Sequence, residues 1–271
     1  MADFRSLSEL LDAAEQAGRL NLRTREIRDD LPGVSAEALR QALYRQQKKG
    51  RVVRLSRGSD HWLIVPLQYA KAGAPPLEVW LDRYLAKTLG IPYYVTLLSA
   101  AETYGASPYA VMVTQVMVAE RRRPITVGRH EVVFLTRARV EEMPTQWHET
   151  PQGRLRVATP ELTALELVER ASLVGGMARV REVLQALWRS CTSRGLSEAL
   201  GALQDIPTAQ RLGALLALDG ERVLALRVAA WLRDRPHRPV ALDRQLPLHE
   251  ASQLDTRFKV RLPVAFRGAN A

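Results

Sequence analysis

The chain has 271 residues, 46% of them hydrophobic and 25% charged, a composition that excludes a disordered protein and provides for two domains. Its formal net charge of +10 favours a polyanionic partner without naming one. A single cysteine, Cys191, excludes an internal disulfide and a cysteine-based zinc cluster, and no apolar run approaches the ~18 residues of a membrane span.

The N-terminus has acids close to its start and no long apolar core, so it is not read as a signal peptide, and a cytoplasmic protein is expected. Ser6 to Ala17 predicts a first helix, capped by Ser6 or Ser8, with Leu7, Leu10, Leu11 and Ala14 as its apolar stripe. Gly18 ends it. Leu20 and Leu22 then alternate with polar neighbours over a short extended piece, and Thr24 opens a short helix stopped by Pro32 and Gly33.

Ser35 is placed to cap a longer helix that Gly50 closes. On it Leu39, Ala42, Leu43 and Gln46 share one side, while Glu37, Arg40, Gln41, Tyr44, Arg45 and Lys48 fall on the other. A hairpin follows, Arg51–Leu55 against Trp62–Val65. Helix, short strand, helix, tight turn, longer helix and hairpin is the order of a winged helix-turn-helix.

Between Ser35 and Arg57 seven basic residues face one acid, Glu37. Arginine and glutamine read base edges through paired hydrogen bonds, and lysine and wing arginines grip phosphates. The expected DNA contacts are therefore Ser35 at the helix start, Arg40, Gln41, Tyr44 and Arg45 toward bases, and Lys48, Arg54 and Arg57 on phosphates. The plainer alternative is a solvated amphipathic helix with ordinary surface charge.

The small-residue and proline stretch Ala70–Pro76 reads as a linker or domain edge, giving domains 1–70 and 77–271. Helices are predicted over Leu77–Leu89 and Thr96–Tyr104, with Tyr93, Tyr94 and Tyr104 as packing residues. From Tyr109 to Val140 β-branched residues dominate, and a strand pair turns at Gly128-Arg129-His130. Arg121, Arg122, Arg123, Arg129, Arg137 and Arg139 lie close together in this stretch and form a candidate basic patch. Met143–Arg154 reads as a polar loop and Leu155–Ala158 as a short strand. Thr159-Pro160-Glu161 is a helix start for Pro160–Glu169. Further helices are predicted at Met177–Ser190, Ser197–Leu203, Thr208–Ala217 and Glu221–Leu232, and KVRLPV near the end predicts an edge strand.

The phosphate-loop and dinucleotide glycine patterns, the paired-histidine zinc motif and the nucleophile elbow are all missing, so no catalytic site, cofactor or metal is expected.

Several short motifs, in order, carry a family resemblance. They are Gly50 with Arg54-Leu55 and Arg57-Gly58; Tyr93-Tyr94 with Leu98-Ser99-Ala100-Ala101 and Gly105; Arg123-Pro124-Ile125; Thr159-Pro160-Glu161 with Ala164-Leu165 and Leu167; and Arg257-Phe258-Lys259-Val260. With these the chain resembles the AbiEi family of bacterial type IV antitoxins over nearly its whole length. Ser59-Asp60-His61 intervene in the wing before Trp62, where the family runs straight to an aromatic residue. Glu166 stands where an aspartate is common, a difference expected to be neutral.

The resemblance implies an α+β chain, an N-terminal winged helix-turn-helix followed by a larger mixed α/β domain. It implies repression of the chain's own promoter through inverted repeats in double-stranded DNA. It also implies relief of a nucleotidyltransferase-like toxin without a tight inhibitory complex. Two rivals remain open at this point. One is a winged-helix regulator whose second domain senses a small molecule in an apolar pocket. The other is a nucleic-acid enzyme, which would need a carboxylate cluster and divalent metal.

Overall fold

The computed structural model describes residues 4–56, 58–107, 111–244 and 253–266. The chain is mixed α+β and divides into two compact units. One comprises Met1–Tyr93, Met112–Ala138 and Glu149–Leu155, the other Tyr94–Val111, Arg139–His148 and Arg156–Ala271. Among the described residues no helix is long and apolar enough to cross a membrane.

The N-terminal elements follow the predicted order: α1 (Leu7–Gln16), β1 (Asn21–Arg23), α2 (Thr24–Asp29), α3 (Ala36–Lys48), β2 (Val52–Arg54) and β3 (His61–Ile64). Ser6 and Ser35 cap α1 and α3, each side chain accepting from the backbone N–H three residues on, which satisfies a donor the helix leaves free. The strands form an antiparallel sheet in the order β1-β3-β2, with Leu22 opposite Trp62 and Val53 opposite Leu63. Leu11, Ile27, Leu39, Val52, Leu63 and Ile64 are buried at its centre. Fully burying a side chain of this size stabilises by roughly 1.5–3 kcal/mol, so the apolar stripes hold these short elements together.

After β3 a 3₁₀ turn (Leu67–Ala72) leads to α4 (Leu77–Asp82), which continues as a wider helical turn over Arg83–Thr88. This segment is tied to the N-terminal sheet. Buried Asn21 donates to the Trp80 carbonyl at 3.1 Å, Arg23 donates to that of Thr88, and Arg83 donates to that of Gly18 at 2.9 Å.

The chain goes on through β4 (Tyr93–Val95), α5 (Leu97–Thr103), β5 (Val113–Val118), β6 (Ile125–Val127) and β7 (His130–Thr136). In the first unit β7 is flanked by β6, antiparallel with Val127 opposite His130, and by β5, parallel with Val116 opposite Phe134. The β6–β7 turn falls at Gly128, where the spacing predicted it.

That turn rests on the stretch expected to be a linker. A Cβ at Gly128 would stand 2.6 Å from the Ala72 carbonyl oxygen and 2.9 Å from the Gly73 carbonyl carbon. Gly128 also has φ +56°, and its neighbour Gly73 has φ +74°. Two backbones meet here with no side chain between them, and Ala74 beside them is 1% exposed.

Residues 143–154, predicted as a polar loop, instead supply all of β8 (Thr145–Thr150) and the first two residues of β9 (Gly153–Ala158), whose remainder is the strand predicted at Leu155–Ala158. β8 has one large apolar side chain, the exposed Trp147, among polar neighbours, so no apolar alternation marks it; backbone pairing at a sheet edge holds it. The Arg156 guanidinium lies 5.5 Å from the Trp147 ring centre, a cation–π pair on the hairpin.

The second unit is built around α6 (Pro160–Glu169), in which every residue from Pro160 to Val168 is buried. Its companions are α7 (Met177–Leu187), α8 (Ser193–Leu203), α9 (Ile206–Leu218) and α10 (Arg222–Leu232). A helix buried all round needs neighbours all round: α5, α7, α8 and α9 pack on α6, and α10 packs on α8 and α9. The chain closes with β10 (Val240–Ala241), β11 (Gln253–Asp255) and β12 (Val260–Leu262). KVRLPV forms the middle strand here, in the order β10-β12-β11, and not an edge. Gly213 on α9 makes room for buried Phe258, whose ring a Cβ would meet at 2.3 Å.

Two buried carboxylates on α6 have structural roles. Glu161 accepts from the backbone N–H of Thr192 at 2.7 Å and from its hydroxyl at 3.0 Å, fixing the residue that caps α8. Glu166, fully buried, accepts from the Tyr94 hydroxyl at 2.7 Å and from Thr96 at 2.5 Å. The side chain expected to be a neutral departure is thus the acceptor for two buried hydroxyls. An aspartate would draw the carboxylate back by one methylene.

Gly128→Ala is expected to lower stability by about 3 kcal/mol or more, since it combines a left-handed alanine with a backbone clash. Urea unfolding of the full chain measures this, and a loss below ~1 kcal/mol would mean that the contact yields easily. Glu166→Ala is expected to cost roughly 2–4 kcal/mol by leaving two buried hydroxyls without their acceptor. Tyr94→Phe, which removes only one of them, should cost about 1 kcal/mol in the same assay.

Candidate nucleic-acid interface

Of the predicted DNA contacts on α3 and the hairpin, Ser35, Arg40, Gln41, Tyr44, Arg45, Lys48 and Arg54 are exposed; Arg57 lies outside the described residues. The cationic side of α3 therefore faces solvent, and Leu39 and Leu43 turn into the core. Tyr44 is 53% exposed, with its ring and hydroxyl open to a partner.

These side chains are not equally free. Glu37 pairs with Arg40 one turn on and also accepts from Gln41 at 3.2 Å, so one carboxylate holds two of the base-reading candidates. The Lys48 ammonium stands 5.2 Å from the Tyr44 ring centre. The Arg54 guanidinium lies 4.5 Å from the Trp62 ring, and the Trp62 indole donates to the Thr24 hydroxyl at 3.0 Å. Ser35 uses its hydroxyl to cap the helix.

Arg51 has left this surface. It pairs with Asp12 and, at 3.2 Å, with Glu15 on α1, and the bond to Asp12 raises its pKa. Burial lowers the His61 pKa against the pull of Asp60 at 3.3 Å, so the imidazole behind the hairpin favours its neutral form.

A groove of about 1160 Å³ runs along α3 on the hairpin side. Ala36, Arg40, Tyr44 and Gln47 line it at helical spacing, with Thr24 and Arg28 from α2 and Arg54, Ser56, Gly58 and Trp62 from the hairpin. Gln47 and Arg28 are additions to the predicted set. Gln47 was within reach of the sequence, three residues on from Tyr44 and seven from Arg40 on the same stripe. A third wall comes from Arg123, Pro124 and Thr126, in the β5–β6 connection and β6, all within the first unit.

The six arginines of the candidate basic patch take different places. Arg123 lines the groove, and its neighbour Arg122 is half-buried, its charge acting on the buried Tyr84 hydroxyl. Arg121 and Arg129 are exposed at the two ends of the β5–β6 connection and β6. Arg137 donates its backbone N–H to the Val118 carbonyl at 3.0 Å. Arg139, in the second unit, pairs with Glu142 at 3.3 Å.

Comparison with known proteins bears on the second part of the chain. Residues 94–218 match the model of the AbiEi antitoxin C-terminal domain. No curated protein matches the chain. Among solved structures it is similar to one described as the crystal structure of RV2827C protein from Mycobacterium tuberculosis. That likeness has a TM-score of 0.64 at 16% identity and covers 94% of this chain and 90% of that one, a similarity of fold. The buried network around Glu166 falls inside the matched span, from Tyr94 in β4 to Glu166 in α6. Over that span, residues 94–218, the chain is similar to the AbiEi antitoxin C-terminal domain, as the resemblance in its sequence implies.

Proposed function

We propose that the chain is a DNA-binding autorepressor as well as an antitoxin, as the resemblance to type IV systems implies. Its N-terminal helices and hairpin would bind inverted repeats in its own promoter. Its C-terminal domain would counter a nucleotidyltransferase-like toxin, and the chain itself would carry no catalytic activity. The observation that carries the DNA reading is the solvent-facing cationic side of α3, joined along one groove to the hairpin. An α-helix fits the major groove, and residues 40, 44 and 47 lie on one stripe of it.

The side chains divide by their freedom. Arg45 is exposed, with no ion pair among the described residues, and is the first candidate for base reading. Arg40 must exchange Glu37 for a base edge, which lowers its net contribution. Arg54, its guanidinium 4.5 Å from the Trp62 ring centre, is exposed and suits a phosphate.

If about six phosphates are neutralised, log K for upstream duplex should fall with log salt at a slope near −5, a fluorescence-anisotropy measurement. In the same titration Arg45→Ala should narrow the gap between operator and random DNA by ~1–3 kcal/mol, while Arg54→Ala should weaken both alike. A slope near zero for the intact protein would remove the DNA reading.

The antitoxin reading has its own test. Co-expression with a neighbouring nucleotidyltransferase-like gene should restore growth that the neighbour alone arrests, and Arg45→Ala should leave that rescue in place. Failure of rescue by the intact chain would count against this toxin class.

A further inference from the structure

We propose that Arg123, outside the helix-turn-helix, is part of the DNA-binding surface and takes a phosphate of the bound duplex; this rests on the DNA reading above. Among the described residues, four arginines line the groove, Arg28 from α2, Arg40 from α3, Arg54 from the hairpin and Arg123 from the β5–β6 connection, and no carboxylate-bearing residue does. Arg123 is exposed and has no ion pair among the described residues.

Its position is fixed from both sides. Arg122 before it is half-buried, and after Pro124 the chain enters β6 through buried Ile125. The far end of β6 is pinned where Gly128 meets Gly73 backbone to backbone. A guanidinium on so short and so anchored a connection has little backbone entropy to lose when a phosphate arrives. With α3 seated in the major groove, a cation across the groove from it stands where a DNA backbone passes. The wing on one side and β6 on the other then give the helix two flanks.

The contact predicted is to phosphate, so it carries no sequence information and changes affinity uniformly. In salt titrations of the full chain on upstream duplex, Arg123→Ala should reduce the slope of log K by about 0.9 and weaken binding about fivefold near 0.15 M salt, for operator and random DNA alike. Arg123→Lys should retain the slope. Arg129→Ala removes the same charge at the other end of β6 and should leave the slope within error of the parent. If the parent binds and Arg123→Ala has an unchanged slope, or if Arg129→Ala loses as much, Arg123 makes no local contact and the proposal falls. If the parent binds no duplex, this proposal and the DNA reading fall together. Near-parent urea unfolding of the variants excludes misfolding as the cause.

Discussion

One contact between bare backbones governs the first unit. Where Gly128 meets Gly73, a single Cβ would overlap a carbonyl, so the strands β5–β7 sit against the segment that follows the hairpin as closely as two main chains can. A second contact of the same kind lies at Gly153, where a Cβ would come within 2.2 Å of the Glu78 carbonyl oxygen. Side-chain packing tolerates small shifts because rotamers adjust. Backbone against backbone has no rotamer to change, and small errors become clashes. The backbone that forms the third wall of the groove is therefore held in place, and it carries the exposed side chain of Arg123.

Charge on this surface is set by pairing as much as by count. The segment Ser35–Arg57 is rich in cations, but Arg51 is drawn to two acids of α1, and Arg40 is shared with Glu37. An exposed pair such as Arg40–Glu37 contributes little to stability, so Arg40 can leave it at low cost when a better anion is offered. Arg51 is in a different position. Two carboxylates hold it at the join of α1 and β2, where it serves the fold. Buried acids follow the same rule in the matched domain. Glu161 and Glu166 are tolerated inside α6 because hydroxyls and a backbone N–H are aimed at them, and they set the start of α8 and the place of Tyr94.

Features that depend on local physics were legible in the sequence. Ser6 and Ser35 cap the helices they were expected to cap, Pro160 begins α6, and the turn at Gly128 stands between two strands. What depends on distant partners was not. Thr145–Thr150 has a single apolar side chain, Trp147, so period-two alternation could not reveal it as a strand. KVRLPV reads as a strand, but its central place comes from partners on either side that no local pattern names. The Ala70–Pro76 stretch has a linker's composition; its small residues are needed because another backbone lies on them. For the candidate interface, helical spacing gave Arg40, Gln41, Tyr44, Arg45 and Lys48. It could not give Arg123, 79 positions along from Tyr44, whose place in the groove follows from tertiary packing alone.

The form of the groove also bears on which anion suits it. Its arginines among the described residues come from four separate elements and are not built around one point of the chain, and a small anion would meet them in wet, screened surroundings. Exposed charges at physiological salt attract weakly over more than ~8 Å, and a single phosphate gains little from guanidinium groups beyond that range. A duplex differs in kind. It carries a negative charge about every 1.7 Å of axis with condensed counterions, and each cation that meets a phosphate releases some of them. Scattered arginines then add, one contact at a time, without having to converge. The arrangement that would make a poor pocket for a metabolite is the one a polyelectrolyte rewards, and under the proposed function the cations of this groove would form a track for DNA.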